Sequence, residues 1–132
     1  MKRQPIEVLL RGDDSGGRLA LVEMDVPATF AGPPLHVHES WDEGFYVLEG
    51  ELTFQVGEDV MTVGPGTFAF AARELPHTFA NLSGRQARIL ITLTPAGFEH
   101  YLETGRRPPR RTRAVGPTLA ASSARAPARK EP

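Results

Sequence analysis

The chain has 132 residues, a formal net charge of −1 at pH 7 and no cysteine. This length fits one domain. The lack of cysteine excludes disulfide scaffolds, thiolate zinc sites and cysteine nucleophiles. The apolar runs are shorter than the roughly 18 residues that span a bilayer, and Glu7 interrupts the stretch where a signal peptide would need an unbroken apolar segment. We therefore expect a cytoplasmic protein without a membrane segment.

Charge and composition divide the chain near residue 104. Residues 104–132 carry eight basic residues and one acid, whereas residues 1–103 carry seven basic and fifteen acidic residues. The later segment is rich in proline and alanine, and Val115 and Leu119 are its only large apolar side chains. Such a segment buries too little surface to offset its ordering entropy. We predict a domain over residues 1–103 and a disordered basic tail over 104–132.

The tail does not favour nucleic-acid binding. Its arginines are spread among proline and alanine, with no aromatic residue between them. Stacking of bases on aromatic rings is a main source of affinity in single-strand binding, and this segment cannot supply it. The tail is therefore interpreted as a solvated extension. Electrostatic contact with nucleic acid or an acidic partner surface, and folding of the tail back onto its own acidic domain, are the alternatives.

The domain consists of short strands separated by turn signals. A Gly/Asp cluster at residues 12–17, Pro27, Pro33–Pro34 and later glycines mark the breaks. A short helix is predicted at 98–103, after Pro95. The predicted strands cover residues 6–10, 19–26, 35–38, 45–48, 52–56, 60–63, 67–71, 77–82 and 87–94. Strands at this spacing predict an all-β sandwich or barrel, and its first strand is an edge that a second subunit would cover in a homodimer.

Histidines and carboxylates cluster around the third and fourth strands. His36 and His38 point to the same face of a strand, and imidazole is a good ligand for zinc, iron, nickel and copper. Glu43 has the opposite parity and joins them only if the chain bends between residues 39 and 42. Asp42 shares their parity and is the alternative carboxylate. His77 begins a later strand and is the candidate fourth ligand. Taken alone, two histidines at this spacing can equally be exposed strand residues.

The wider spacing resembles the two motifs of the cupin superfamily. The resemblance covers residues 30–94 and is greatest to small single-domain cupins of the quercetin 2,3-dioxygenase-like group. Three turn positions depart from the pattern: Gly32 lies one position from the expected glycine, and Ala72 and Glu74 stand where proline and glycine are common. The first motif is matched by His36, His38, Glu43 and Gly50, and the second by Gly66, His77 and Asn81.

The resemblance implies a single-domain jelly-roll barrel with a short C-terminal helix and one divalent metal ion. The ion would be held by His36, His38, Glu43 and His77, and its identity among Fe, Mn, Ni, Zn, Co and Cu is left open. The implied function is that of a metal-dependent, dioxygenase-like enzyme acting on a small organic molecule inside the barrel, with Glu43 also available as a base. The alternatives are a non-enzymatic metal- or small-molecule-binding module, and an isomerase or lyase that does not use oxygen.

Other side chains are assigned to packing. Phe45, Phe68, Phe70 and Phe79 are interpreted mainly as core residues, with a subset lining a pocket near the metal. Asn81 is expected to serve a turn rather than the metal. His100 is expected to be a solvated helix residue.

Overall fold

The protein is described by a computed structural model over residues 4–105 and 112–125. None of the helices in this part of the chain has the length and apolar character that a membrane crossing requires. In chain order the elements are β1 (Ile6–Leu10), α1 (Gly12–Ser15), β2 (Ala20–Val26), β3 (His36–His38), β4 (Asp42–Glu49), β5 (Leu52–Val56), β6 (Asp59–Val63), β7 (Phe68–Ala71), β8 (His77–Ala80), β9 (Ala87–Thr94), α2 (Glu99–Thr104), β10 (Thr112–Ala114) and α3 (Leu119–Arg125).

The strands form two antiparallel five-stranded sheets. The first has the order β1-β2-β9-β4-β7 and the second has the order β10-β3-β8-β5-β6. The sheets share one core because alternate side chains of each strand point inward. In the first sheet Val22, Phe45 and Ile91 lie side by side in register, and they belong to the same buried cluster as Phe54 and Phe79 of the second.

The segment between β3 and β4 moves the chain from one sheet to the other. β3 belongs to the second sheet and β4 to the first, and the backbone bends at residues 39–40. Because the inner faces of the two sheets oppose each other, residues on both sides of this crossing point into the same interior. The predicted bend is confirmed, and it allows side chains of opposite parity to meet.

The structure confirms all nine predicted strands and the short helix after Pro95, and it corrects three details. The two sheets are not closed into a barrel, so the fold is a two-sheet jelly roll. The predicted turn at residues 12–17 contains the one-turn helix α1. β4 begins at Asp42 rather than at Phe45.

Part of the predicted tail forms secondary structure, which differs from the disordered extension expected there. Residues 112–125 contain β10, which pairs with β3, and α3, whose first residue Leu119 is buried. The composition of the segment shows that it can bury little surface by itself. Its order comes instead from the domain, because β10 pairs with the edge of β3 and Leu119 is buried against the folded chain. Residues 106–111 and 126–132 of the predicted tail lie outside the described residues.

Candidate metal centre

Three strands bring four ligand side chains to one point between the sheets. His36 and His38 lie on β3, and His77 lies directly opposite His36 on β8. Glu43 enters from β4 in the other sheet, on the same inward face as Phe45. One ligand atom from each of these residues lies within 4.8 Å of all the others. The structure therefore brings together the four residues named from the sequence.

The spacing of the donor atoms matches that around a single cation. The Nε2 atoms of His36 and His38 are 3.2 Å apart, and Oε1 of Glu43 lies 3.1 Å from Nε2 of His38 and 3.2 Å from Nε2 of His77. An ion bound at about 2.1 Å from each ligand places neighbouring donors about 2.9–3.4 Å apart. The three separations fall within this range.

In two of the three imidazoles, the nitrogen that faces away from the centre, Nδ1, donates a hydrogen bond to the backbone. Nδ1 of His36 donates to the carbonyl of Pro34 over 2.8 Å, and Nδ1 of His77 donates to the carbonyl of Leu75 over 3.0 Å. A neutral imidazole that donates through Nδ1 carries its lone pair on Nε2. In the neutral form, both rings therefore present a metal-binding lone pair to the centre.

This arrangement has a physical requirement for a positive charge. With the rings neutral and Nδ1 of His77 bonded to the backbone, the Nε2 lone pair of His77 would meet the Glu43 carboxylate oxygen, and the Nε2 atoms of His36 and His38 face each other at 3.2 Å. Protons on the Nε2 atoms of His38 and His77, which then donate to Glu43, or a cation between these atoms relieve the repulsion. The donor set thus fits a divalent metal ion, and its three nitrogens and one oxygen suit several transition metals.

The protonation states of two ligands favour the same conclusion. Burial, reinforced by the neighbouring charge of His77, lowers the pKa of His36 to about 4. Burial alone would raise the pKa of Glu43, but the hydrogen bonds to His38 and His77 outweigh it and lower that pKa to about 2. Near neutral pH His36 is therefore neutral and Glu43 ionised, which are the forms that bind metals.

Aromatic packing holds the plane of the His38 ring. The indole of Trp41 stacks on it with ring centres 4.3 Å apart, and the ring of Phe98 lies 5.1 Å away on a tilted plane. Trp41 and Phe98 also stack on each other. His38 and Trp41 are both buried, so core packing restricts the plane of this ring.

A cavity of about 380 Å³ opens beside the four ligands. In the described part of the chain its polar contributors are the ligands themselves and Thr112, whereas the rest of its wall is apolar. On this wall Phe79 packs between Phe30 and Phe45, with its ring centre 5.3 Å from each of theirs. The remaining apolar wall is formed by Met24, Pro33, Pro34, Ile91, Phe98, Leu102 and Ala114.

The other residues considered from the sequence lie away from the centre. Asp42 accepts hydrogen bonds from Arg73, which lower its pKa, so it is Glu43, and not Asp42, whose carboxylate joins the three imidazoles. Asn81 bonds to the 81–85 turn and to β2, which confirms its structural role. His100 is exposed on α2, as expected.

The assignment of Phe68 and Phe70 to the core is wrong. Both side chains lie on the outer face of the first sheet and are half exposed. Conversely, sequence reasoning missed Thr112, Phe30 and Phe98 at the site. The strand pattern carries no signal for them, because Phe30 lies in an irregular segment, Phe98 precedes a short helix, and Thr112 lies in the basic tail.

Three imidazoles and a carboxylate that line an otherwise apolar cavity between two antiparallel sheets define a candidate metal centre of the jelly-roll class. A family model described as the cupin domain matches residues 22–93, which is more than half of the chain. The protein belongs to the cupin family. No curated protein matches the chain.

Solved structures give the same fold. The polyketide cyclase RemF from Streptomyces resistomycificus is 27% identical, with 86% of this chain and 72% of that chain covered and a TM-score of 0.64. The protein TT1209 from Thermus thermophilus is 33% identical over 60% of this chain and 74% of that chain, with a TM-score of 0.56. A predicted oxalate decarboxylase from Thermotoga maritima is 21% identical over 68% and 78% of the two chains, with a TM-score of 0.63.

Proposed function

We propose that this cupin is a metal-dependent oxygenase acting on a small apolar molecule. The observation that carries the proposal is the convergence of three imidazoles and the Glu43 carboxylate at the polar end of an otherwise apolar cavity. A divalent cation held by these residues would polarise a bound oxygen donor and, if redox-active, exchange electrons with dioxygen.

The cavity wall supports the choice of substrate class. About 380 Å³ accommodates a molecule of one or two rings. Beyond the four ligands, the described lining residues carry no charge, so a substrate with remote carboxylate or phosphate groups would lose hydration without gaining a partner. A neutral molecule with an oxygen donor at one end fits best. Catechols and β-diketones are probes of this size, and the three-ring flavonols test the upper limit.

The side chains that line the cavity would orient the substrate and accept a proton from it. Phe30, Phe45 and Phe79 would hold an apolar body against the wall and exclude water from the ligand end. Glu43 lines the same cavity, and as a carboxylate it can accept a proton from a bound molecule. Among the described lining residues it is the one carboxylate, which favours a reaction that needs little general acid–base catalysis.

Isotope-labelled turnover tests the oxygenase proposal. Protein loaded separately with each of Fe, Mn, Ni, Co, Cu and Zn would be incubated with the probe panel under oxygen-18 gas. We expect at least one metal–substrate pair to give a product with labelled oxygen, and Glu43→Gln to lose this turnover. Equal turnover without oxygen, or product without label, would exclude the oxygenase.

A second candidate is an oxygen-independent enzyme of the lyase, cyclase or isomerase type. It is favoured by the 27% identity to a polyketide cyclase over most of both chains. The same protein and probes in an anaerobic chamber distinguish the two, because only the oxygen-independent enzyme continues to form product. Tight probe binding without product in either atmosphere would indicate a binding module.

We also propose a homodimer. β1 is an edge strand, as expected, and exposes Leu9. A larger uncovered surface lies at the opposite edge of the same sheet, where Tyr46, Phe68 and Phe70 are 38%, 50% and 52% exposed. A two-fold interface buries the same patch on both copies, and this aromatic surface is the one we assign to it.

Light scattering tests this assignment and should give a dimer for the wild-type chain. The double variant Phe68→Ser, Phe70→Ser should be a monomer, whereas Leu9→Ser should remain a dimer. A wild-type monomer at high concentration would refute it.

A further inference from the structure

The C-terminal segment completes the strand that carries two of the ligands. β3 pairs with β8 through a single residue pair, His36 with His77. On its other side β3 pairs with β10 through three, including His38 with Thr112. Without β10, the ligand-bearing strand would be a three-residue edge with one residue pair to β8 and one further backbone hydrogen bond, from the Glu74 N–H to the His38 carbonyl.

Several contacts hold this segment in place beyond β10. Leu35 accepts backbone hydrogen bonds from Val115 over 2.7 Å and from Gly116 over 3.1 Å, and it donates to Pro117 over 3.0 Å. Leu119, at the start of α3, is 2% exposed. The segment therefore has a defined register on β3, and that register places Thr112 directly beside His38.

Thr112 provides the outer hydrogen bond of His38. Its Oγ1 lies 2.8 Å from Nδ1 of His38. Nδ1 of each of the other two histidines bonds to a backbone carbonyl two residues earlier in the chain. Among the three imidazoles, His38 is thus the one whose Nδ1 bonds to a side chain, and that side chain lies 74 residues away in the sequence.

We propose that Thr112 is a positioning residue for the metal centre, and that docking of the C-terminal strand and metal binding are coupled. This inference rests on the proposed metal site. When the threonine hydroxyl accepts the Nδ1 proton of His38, the Nε2 lone pair is directed at the metal, and the ring is held in the coordinating orientation. By linkage, the metal then stabilises the docked strand as much as the strand strengthens metal binding.

Substitution of the hydroxyl tests the positioning role. Thr112→Val keeps the shape and branching of the side chain but removes the acceptor, whereas Thr112→Ser keeps the acceptor. We expect metal affinity, measured by competition with a chromophoric chelator on the full chain, to fall about 10- to 100-fold in Thr112→Val and to stay near wild type in Thr112→Ser. Thr62→Val, which removes a hydroxyl pair with Thr53 elsewhere in the same sheet, is the matched control and should bind metal as wild type does.

A second readout tests the coupling and separates it from loss of folding. Hydrogen exchange at the backbone amides of residues 112–116 should slow on metal addition in wild type and in Thr112→Ser, and much less in Thr112→Val. Equal affinity of Thr112→Val and wild type, or equal weakening in Thr112→Ser, would overturn the inference while leaving the metal centre intact. A wild-type chain that binds no divalent metal would overturn the proposed centre and this inference with it.

Discussion

Removal of His36 is the most direct test of the metal centre, because this ligand is the least buried of the four. Structural zinc sites bind with about 10–16 kcal/mol. Shared among four donors, that amounts to roughly 3 kcal/mol per ligand, which corresponds to more than about a hundredfold in the dissociation constant. His36→Ala should therefore weaken metal binding by two orders of magnitude or more with little effect on the fold. His38→Ala and His77→Ala should weaken binding at least as much, but they also leave cavities in the core.

The chain contains its own matched control. It has four histidines, and the fourth, His100, is exposed on α2 outside the cluster. His100→Ala should keep the wild-type metal content and affinity, as measured by elemental analysis after dialysis and by chelator competition. The reasoning is refuted if His36→Ala binds within about threefold of wild type, or if the triple alanine variant at 36, 38 and 77 retains a full metal equivalent.

Three further predictions concern the framework around the site. The Glu99 carboxylate accepts hydrogen bonds from the backbone N–H groups of Gly12 and Gly97. Burial raises the pKa of Glu99, but these bonds outweigh it and lower the pKa below the ordinary 4.5. The contribution of the ionised carboxylate to the free energy of unfolding is therefore present above pH 4.5 and is lost on acidification. Glu99→Gln should lower the free energy of unfolding in urea by about 1–3 kcal/mol at pH 7, and the difference from wild type should become smaller below pH 4.5. A difference in unfolding free energy that does not change with pH would contradict this. Glu74 is the only non-glycine residue with positive φ in the described chain, at +67°; Glu74→Gly should stabilise by roughly 0.5 kcal/mol, and a lower melting temperature would count against that. Gly32 has φ +79° and would place a Cβ 1.8 Å from a carbonyl oxygen of β8, so Gly32→Ala should destabilise by more than about 2 kcal/mol; a urea midpoint equal to that of wild type would exclude the clash.

Strand positions could be predicted because turn residues and alternation are local signals. Proline, glycine and aspartate mark most of the breaks between strands, and inward residues such as Val22, Phe45 and Ile91 alternate with outward ones. Alternation alone does not tell which face of a strand is covered. For this reason the pattern assigns Phe68 and Phe70 to the core, although they lie on the uncovered face of the edge strand β7.

The choice between Glu43 and Asp42 shows where strand parity stops being informative. Parity counts faces within one sheet, and by that count Asp42 belongs with His36 and His38. The chain leaves the second sheet after His38 and enters the first at Asp42, so the inward direction is reset at the crossing. The cupin motif spacing favours Glu43 because it already includes the change of sheet between His38 and Asp42. The alternation of side chains along a single strand contains no information about that change.

The ordered part of the tail could not be predicted because composition measures what a segment can bury by itself. Residues 112–119 contribute only two large apolar side chains, Val115 and Leu119. Their order comes from outside the segment, since β10 meets the free edge of β3 and forms backbone hydrogen bonds there. An edge strand favours such pairing whatever the side chains of the added strand are. Within β10, the identity of Thr112 depends on its neighbour, because a hydroxyl at that register position can accept the Nδ1 proton of His38.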